Sequence, residues 1–309
     1  MATFTGTDAN ESITPGSVSA TVTVDPPGSV PSAEIDVINA GGGNDVAAGG
    51  GGDDLVDMGI GDDRYFWREG DGRDLLAGGV GNDQLTFEAT AGDNFIFMSD
   101  EGGDSRSLST AAATSGVDFS SVESVTINAL EGGDQITLYA GATQGVPFVY
   151  INLAPTPSEI VADAGQDILF FHGGGLDDVM AIGGGSTASI SGLGSGTVLA
   201  DFGGANDRVQ MHGGLGGDRI SAADYSGPMG ISLHGNGGDD SLIGSSGNDV
   251  LFGDDGDDFV EGRAGNDNAA LGEGSDRYSW GVADGEDWFD GGAGFDRAIV
   301  TGTGTTTAP

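Results

Sequence analysis

From residue 235 the chain repeats itself every nine residues, and a unit that short has room for one tight turn and one strand of about three residues. In register it reads Gly235-Asn-Gly-Gly-Asp-Asp-Ser-Leu-Ile243, Gly244-Ser-Ser-Gly-Asn-Asp-Val-Leu-Phe252, Gly253-Asp-Asp-Gly-Asp-Asp-Phe-Val-Glu261 and Gly262-Arg-Ala-Gly-Asn-Asp-Asn-Ala-Ala270. Residues 271–279 keep the frame, Trp280 and Gly281 intervene, and the repeat resumes over 282–290 and 291–299. Position four carries Gly238, Gly247, Gly256, Gly265 and Gly274. Position six is always Asp: Asp240, Asp249, Asp258, Asp267, Asp276, Asp287 and Asp296. Position eight is mostly apolar: Leu242, Leu251, Val260, Ala269, Tyr278, Phe289 and Ala298. A flexible Gly/Asp linker has no reason to keep an apolar side chain two places after every Asp.

The same unit occurs earlier. Over 40–86 its position-six residues are Asp45, Asp54, Asp63, Asp74 and Asp83, with Gly43, Gly52 and Gly61 at position four and Ala47, Val56, Tyr65, Leu76 and Leu85 at position eight. This block is interrupted by Trp67 and Arg68, so Asp63-Arg-Tyr-Phe-Trp matches Asp276-Arg-Tyr-Ser-Trp with the same two-residue insertion. A shared irregularity argues for duplication, and a Trp there is expected to plug a widened coil. Residues 6–13 form a degenerate copy with Ala9 at position four and Glu11 in place of Asp, expected to act as a capping turn.

These repeats resemble the calcium-binding nonapeptide of the RTX (hemolysin-type) family, strongly over 40–86 and 235–299 and more weakly elsewhere. The chemistry agrees. Closely spaced glycines admit positive-φ turns and point carbonyl oxygens inward, and the Asp adds a hard anionic oxygen. Calcium takes six to eight oxygens, so one turn is half a cage and a second turn stacked on it completes the cage. Two repeats per coil stack each Asp on the one two repeats later. The expected pairs are Asp45/Asp63, Asp63/Asp83 and Asp54/Asp74, then Asp240/Asp258, Asp258/Asp276, Asp276/Asp296, Asp249/Asp267 and Asp267/Asp287. In this scheme Asp258 serves two cages and Asp240 only one. The Asp and Gly residues named above are the expected metal site, with roughly eight calcium ions as cofactor.

The charge balance points the same way. Acidic residues outnumber basic ones 49 to 9, every basic residue is Arg, and the formal charge is −40. Such a chain repels nucleic acid and anionic membrane, and it resists compaction until cations neutralise it. With no Cys, it has neither disulfides nor thiolate metal sites. No run of eighteen apolar residues suggests a membrane span, and residues 1–16 lack the basic start and apolar stretch of a Sec signal. The resemblance implies export without a cleaved N-terminal signal, by a type I machine reading the C-terminus, although the Thr-rich tail 301–309 is shorter than such signals usually are.

The expected fold is all-β: a right-handed parallel β-solenoid in which RTX β-roll blocks flank an irregular β-solenoid middle. The expected divisions are 1–39 (degenerate repeat and Pro-rich connector), 40–88 (first block), 89–234 (middle), 235–300 (second block) and 301–309 (tail). The connector 15–31 is too Pro-dense for a central strand and reads as an extended link or an edge cover. In the middle, Val125-Thr-Ile-Asn-Ala-Leu-Glu-Gly-Gly-Asp-Gln-Ile-Thr137 aligns without gaps on Val209-Gln-Met-His-Gly-Gly-Leu-Gly-Gly-Asp-Arg-Ile-Ser221. Short β-rich runs recur there, and 144–158, with three prolines, is expected to be an excursion off one coil.

No enzyme motif emerges. No His is followed by Glu as a zinc protease motif requires, and no Ser sits in G-x-S-x-G. His172, His212 and His234 each precede a Gly turn and are expected simply to top a strand. Asp-Arg pairs such as Asp63-Arg64, Asp207-Arg208 and Asp218-Arg219 are expected by chance in so acidic a chain. The resemblance implies a secreted calcium-binding protein that folds on meeting calcium and serves as a structural or adhesive element of the cell surface or matrix. Open solenoid ends add self-association into fibres. The competing readings are a solenoid that binds or modifies extracellular polysaccharide and a secretion module of a larger enzyme.

Overall fold

In the computed structural model, residues 1–111, 114–154, 165–185, 187–201, 206–281 and 284–301 are described. Among them the chain is all β, built from short strands separated by glycine turns, with no helix. It divides into two compact units, Met1–Asp167 with Leu193–Gly203, and Ile168–Gly192 with Gly204–Pro309. Each unit is a β-solenoid: successive repeats alternate between two sheets, so each strand pairs in parallel with the strand two repeats away.

In the first unit, one sheet runs in parallel through Thr3–Thr5, Val37–Asn39, Leu55–Asp57 and Arg73–Ala77. The other begins with Ser12–Thr14, Val46–Ala47, Arg64–Arg68 and Gln84–Glu88 and continues through Ser124–Asn128, Phe148–Asn152 and Thr197–Asp201. In the second unit, Ile168–His172, Arg208–Leu215, Gly230–Gly237, Val250–Asp255, Asn268–Gly274 and Trp288–Asp290 form one sheet. Val179–Gly184, Arg219–Tyr225, Ser241–Ile243, Phe259–Glu261, Arg277–Gly281 and Arg297–Thr301 form the other.

The two-residue alternation of a strand decides what lies inside. Position eight points inward: Val56, Tyr65, Leu76, Leu85, Leu242, Leu251, Val260 and Tyr278 are all buried. A core one side chain deep per strand is thin, and in the first unit the inserted Trp thickens it, whereas Trp280 in the second is half-buried. Trp67 is fully buried and stacks on Phe87 with ring centroids 4.3 Å apart, so the Trp fills the coil interior as the insertion implies. Only at the last coil does the rule lapse, where Phe289 and Ala298 are exposed because no further coil covers them among the described residues.

One expectation narrows and two change. Of the two readings of the connector 15–31, the edge cover is the one found, since Ser17–Val18 and Thr23–Asp25 pair antiparallel with Ser12–Thr14 and Thr3–Thr5 and take up the free edges of the first coil. The middle is not purely parallel. Phe95–Gly102, Ser105–Thr110 and Gly116–Ser120 form an antiparallel meander that rejoins Arg73–Ala77 in parallel, and Val179–Gly184 pairs antiparallel with Thr187–Ser191. The first of these hairpins turns at Gly102 and Gly103, both at positive φ. Nor is 144–158 wholly an excursion: Phe148–Asn152 is a central strand, its β-branched and aromatic residues outweighing the nearby prolines, while 155–158 lie outside the described residues.

Stacked turns leave no space for side chains. At Gly256, with φ at 135°, a Cβ would lie 2.0 Å from the Gly238 carbonyl oxygen one coil away, whereas a Cβ at Gly175 meets nothing within 4 Å. Gly256→Ala should therefore destabilise by at least the roughly 1–3 kcal/mol that a strained backbone conformation costs, and Gly175→Ala should be near neutral. Thermal melts of the two variants in saturating calcium check this; equal melting temperatures would contradict it.

Candidate metal centre

Position six is buried except at the last coil, where Asp287 and Asp296 are half-buried, and one backbone-to-carboxylate hydrogen bond ties each Asp to the one two repeats away. The backbone N–H of Asp45 donates to Oδ1 of Asp63 (2.7 Å), that of Asp63 to Asp83 (2.9 Å), and that of Asp54 to Asp74 (3.0 Å). In the second unit Asp240 donates to Asp258 (2.8 Å), Asp258 to Asp276 (2.8 Å), Asp276 to Asp296 (3.2 Å), Asp249 to Asp267 (2.9 Å) and Asp267 to Asp287 (3.1 Å). Every pair expected from the two-per-coil register is thus in direct contact.

The ladders are longer than the regular blocks. Glu11 donates its N–H to Asp45, and Asp83 donates to Glu123, so glutamates take the rungs at both ends. Asp178 and Asp218 precede Asp240: the N–H of Asp178 meets Asp218 at 2.7 Å and that of Asp218 meets Asp240 at 2.6 Å. Asp240 is therefore an interior rung, not the end of its row, because the irregular middle keeps the stacking after it loses the nine-residue count. The gapless alignment of 125–137 on 209–221 marks this, since its shared Asp134 and Asp218 both accept a rung hydrogen bond.

Only one carboxylate oxygen is used this way. Oδ2 of Asp45, Asp54, Asp63, Asp83, Asp218, Asp240, Asp258, Asp267 and Asp276 is buried with no hydrogen-bond partner. Such a group carries a desolvation cost of several kcal/mol unless a cation meets it. Where position one of the repeat is glycine, the oxygen faces it. A Cβ on Gly235 would lie 2.2 Å from Asp240 Oδ2 and 2.5 Å from the Gly253 carbonyl of the next coil, and one on Gly253 would lie 2.4 Å from Asp258 Oδ2 and 2.2 Å from the Leu271 carbonyl. At these glycines a carboxylate oxygen and a main-chain carbonyl thus converge on a space that a Cβ would fill, whereas the repeats of Asp45, Asp63 and Asp276 begin with Ala40, Met58 and Leu271. Among the described residues no three acidic or imidazole side chains converge on one point. A cation here draws on backbone carbonyls for most of its shell, and the hard all-oxygen donor set fits calcium.

Position-four glycines supply the stacking. A Cβ on Gly61 would meet the Gly43 carbonyl oxygen, one on Gly72 that of Gly52, one on Gly265 that of Gly247 and one on Gly274 that of Gly256, all within about 2 Å. Sequence reasoning passed over two partners. Position five forms a second ladder of opposite direction: Asn44 Oδ1 accepts from the Asp62 N–H (3.0 Å), Asp239 from Asp257 (2.9 Å) and Asn248 from Asn266 (2.8 Å). The recurrence of Asn and Asp at that position was the available signal. Tyr65 and Tyr278, seen only as core residues, reach across to donate to Oδ2 of Asp74 (2.5 Å) and Asp287 (2.9 Å), so a phenol occupies the oxygen that has no partner at the nine rungs named above.

A family model described as RTX calcium-binding nonapeptide repeat, four copies, matches residues 32–65, 70–85 and 234–269. The chain carries RTX calcium-binding repeats. RTX repeats bind Ca2+, and the matched segments contain the Asp rungs from Asp45 to Asp83 and from Asp240 to Asp267, while Asp276, Asp287 and Asp296 lie beyond them. No curated protein matches the chain.

Without a cation the RTX rungs repel one another. Burial, with the like charges of Asp240 and Asp276 added and a backbone hydrogen bond only partly offsetting them, pushes Asp258 up to about 7. Asp54, Asp74 and Asp267 are likewise raised, mainly by burial, to about 7, and Asp45, Asp83, Asp240 and Asp249 to about 6. An unfolded Asp ionises near 3.9, so the fold favours the protonated form; that contribution is complete below the unfolded value and is lost as pH rises through about 6–7. The three histidines, lowered by burial, act in the opposite sense but are fewer. In buffer freed of calcium over chelating resin, the β-sheet circular dichroism should therefore be stronger at pH 5 than at pH 8; a weaker signal at pH 5 would overturn this. Within the ladder, Asp258→Ala should raise the calcium midpoint of folding more than Asp296→Ala, by the roughly 1.5–3 kcal/mol of a hydrogen bond to a charged group, because Asp258 has rungs on both sides. Equal midpoints would show that the rungs act independently.

Proposed function

We propose that this protein is a secreted, non-enzymatic structural element that folds as its turns fill with calcium. The observation that carries the reading is the set of nine buried Asp Oδ2 atoms without partners named above, spread along the stacked turns of a chain of charge −40. Asp45, Asp54, Asp63 and Asp83 in the first unit, and Asp218, Asp240, Asp258, Asp267 and Asp276 in the second, would hold the ions together with main-chain carbonyls of the stacked glycine turns, while Asp249 is held by Ser245. Asp74 and Asp287 are shared with Tyr65 and Tyr278, and Asp296 ends its row. Roughly eight divalent ions bring about +16 to this charge. Since the sites form only when coils stack, binding free energy becomes folding free energy. Calcium sites of extracellular modules work at about 10⁻⁴–10⁻³ M, so such a chain stays open inside a cell and closes outside it.

Self-association belongs to the same reading, and the contact falls to the C-terminal coil. The first coil is covered by antiparallel strands, while Trp288, Phe289, Phe295 and Val300 of the last are exposed. At pH 7.5 the chain should lack most of its β signal in EGTA and gain it cooperatively as calcium rises to millimolar levels. Full native signal in excess EGTA would refute calcium-driven folding. Sedimentation over the same series reads the second part, and a monomer throughout removes it.

A further inference from the structure

The three histidines of the chain stand on one row of one sheet in the second unit. His172, His212 and His234 lie directly opposite one another on the strands Ile168–His172, Arg208–Leu215 and Gly230–Gly237, and Phe252 continues the row. Their rings stack with centroids 4.7 Å apart for His172 and His212 and 4.3 Å for His212 and His234, and Phe252 closes the stack 4.5 Å beyond. All three are half-buried and point away from the core, which Phe171, Met211 and Leu233 fill from the neighbouring positions. His234 Nε2 lies 3.0 Å from Ser232 Oγ, and His212 hydrogen-bonds the Asn236 side chain. Burial, with the charges of the flanking rings added, lowers His212 to about 4. At neutral pH the row therefore presents uncharged imidazoles.

We propose that this imidazole row binds a borderline divalent transition cation, Zn2+ or Cu2+, through two neighbouring rings at a time. Packing alone does not call for histidine, because Phe252 fills the same row with an apolar ring. Nitrogen donors favour these metals over calcium, and the net negative charge of the chain draws cations to its surface. The polar contacts at Ser232 and Asn236 are the outer-shell partners that fix the orientation of a ligating ring. Two nitrogens on one tetrahedral ion lie about 3.3 Å apart, given a Zn–N bond of ~2.0–2.1 Å. The rings stand 4.3–4.7 Å apart between centroids and within 18° of parallel, so sharing an ion turns one ring about χ1 and χ2 until its nitrogen lone pair points at the same centre as its neighbour's. No three side chains converge here, so water completes the shell.

The row makes His212 a member of both possible pairs. Zinc titrated calorimetrically into tag-free, calcium-saturated protein should show a saturable site, and Cu2+ bound there should show imidazole nitrogen coupling by electron paramagnetic resonance. His212→Phe extends the stack already begun at Phe252 and should weaken binding by at least the roughly 10–100-fold that loss of even an outer-shell partner costs. His172→Phe, which leaves the His212/His234 pair, should change affinity far less. Zinc binding that survives His212→Phe unchanged would place the metal on the acidic edges and overturn the proposal. So would copper spectra of the unaltered protein without nitrogen coupling, a result that does not depend on how any variant folds.

Discussion

A buried carboxylate that accepts the backbone N–H of the preceding coil is the interaction on which the rest of the structure depends. It fixes the distance and register between coils and satisfies a donor that the tight turn would otherwise strand. It also places one negative charge above another at every rung, in a low-dielectric edge where like charges repel strongly. The same bond that aligns the coils thus makes the empty fold costly. On the reading proposed above, a hard cation at the second oxygen of the rungs that leave it without a partner would remove that cost, and the position-five ladder, running the other way, ties the same turns together.

The paired insertions show a local alternative to the cation. Two extra residues let Tyr65 and Tyr278 lie across the coil and donate to the Asp of the following repeat, while the nearby aromatic rings stack at 4.3 Å for Trp67/Phe87 and 4.9 Å for Tyr278/Phe289. The phenol neutralises nothing, but it supplies the missing hydrogen bond, and the added ring area gives an otherwise thin core more apolar surface to bury. Each unit therefore contains one rung at which a backbone N–H meets one carboxylate oxygen and a phenol the other.

The ends of a solenoid face the problem of every open sheet. At the N-terminal coil of the first unit the Pro-rich segment folds back antiparallel and occupies both free edges, a device open to a segment that carries no repeat. The last described coil of the second unit keeps the repeat and has no such cover, so Phe289, an inward position everywhere else in the pattern, is exposed.

The nine-residue period by itself determined the alternation of sheets, the inward position eight and the stacking of each Asp on the one two repeats later, while calcium as the expected cofactor came from the resemblance to the RTX nonapeptide and its oxygen donors. The first three follow from local geometry: a strand alternates every two residues, and a glycine turn returns the chain in a fixed number of steps. The tertiary structure alone decided what depended on residues far apart in the chain. The ladder runs on through Asp178 and Asp218 because strand pairing, not spacing, sets the stack. The phenol at Asp74 and Asp287 appears only once the coil closes. His172, His212 and His234, separated by irregular lengths of chain and read singly as strand ends, meet because each occupies the same row of a parallel sheet, a coincidence of register that no local pattern records.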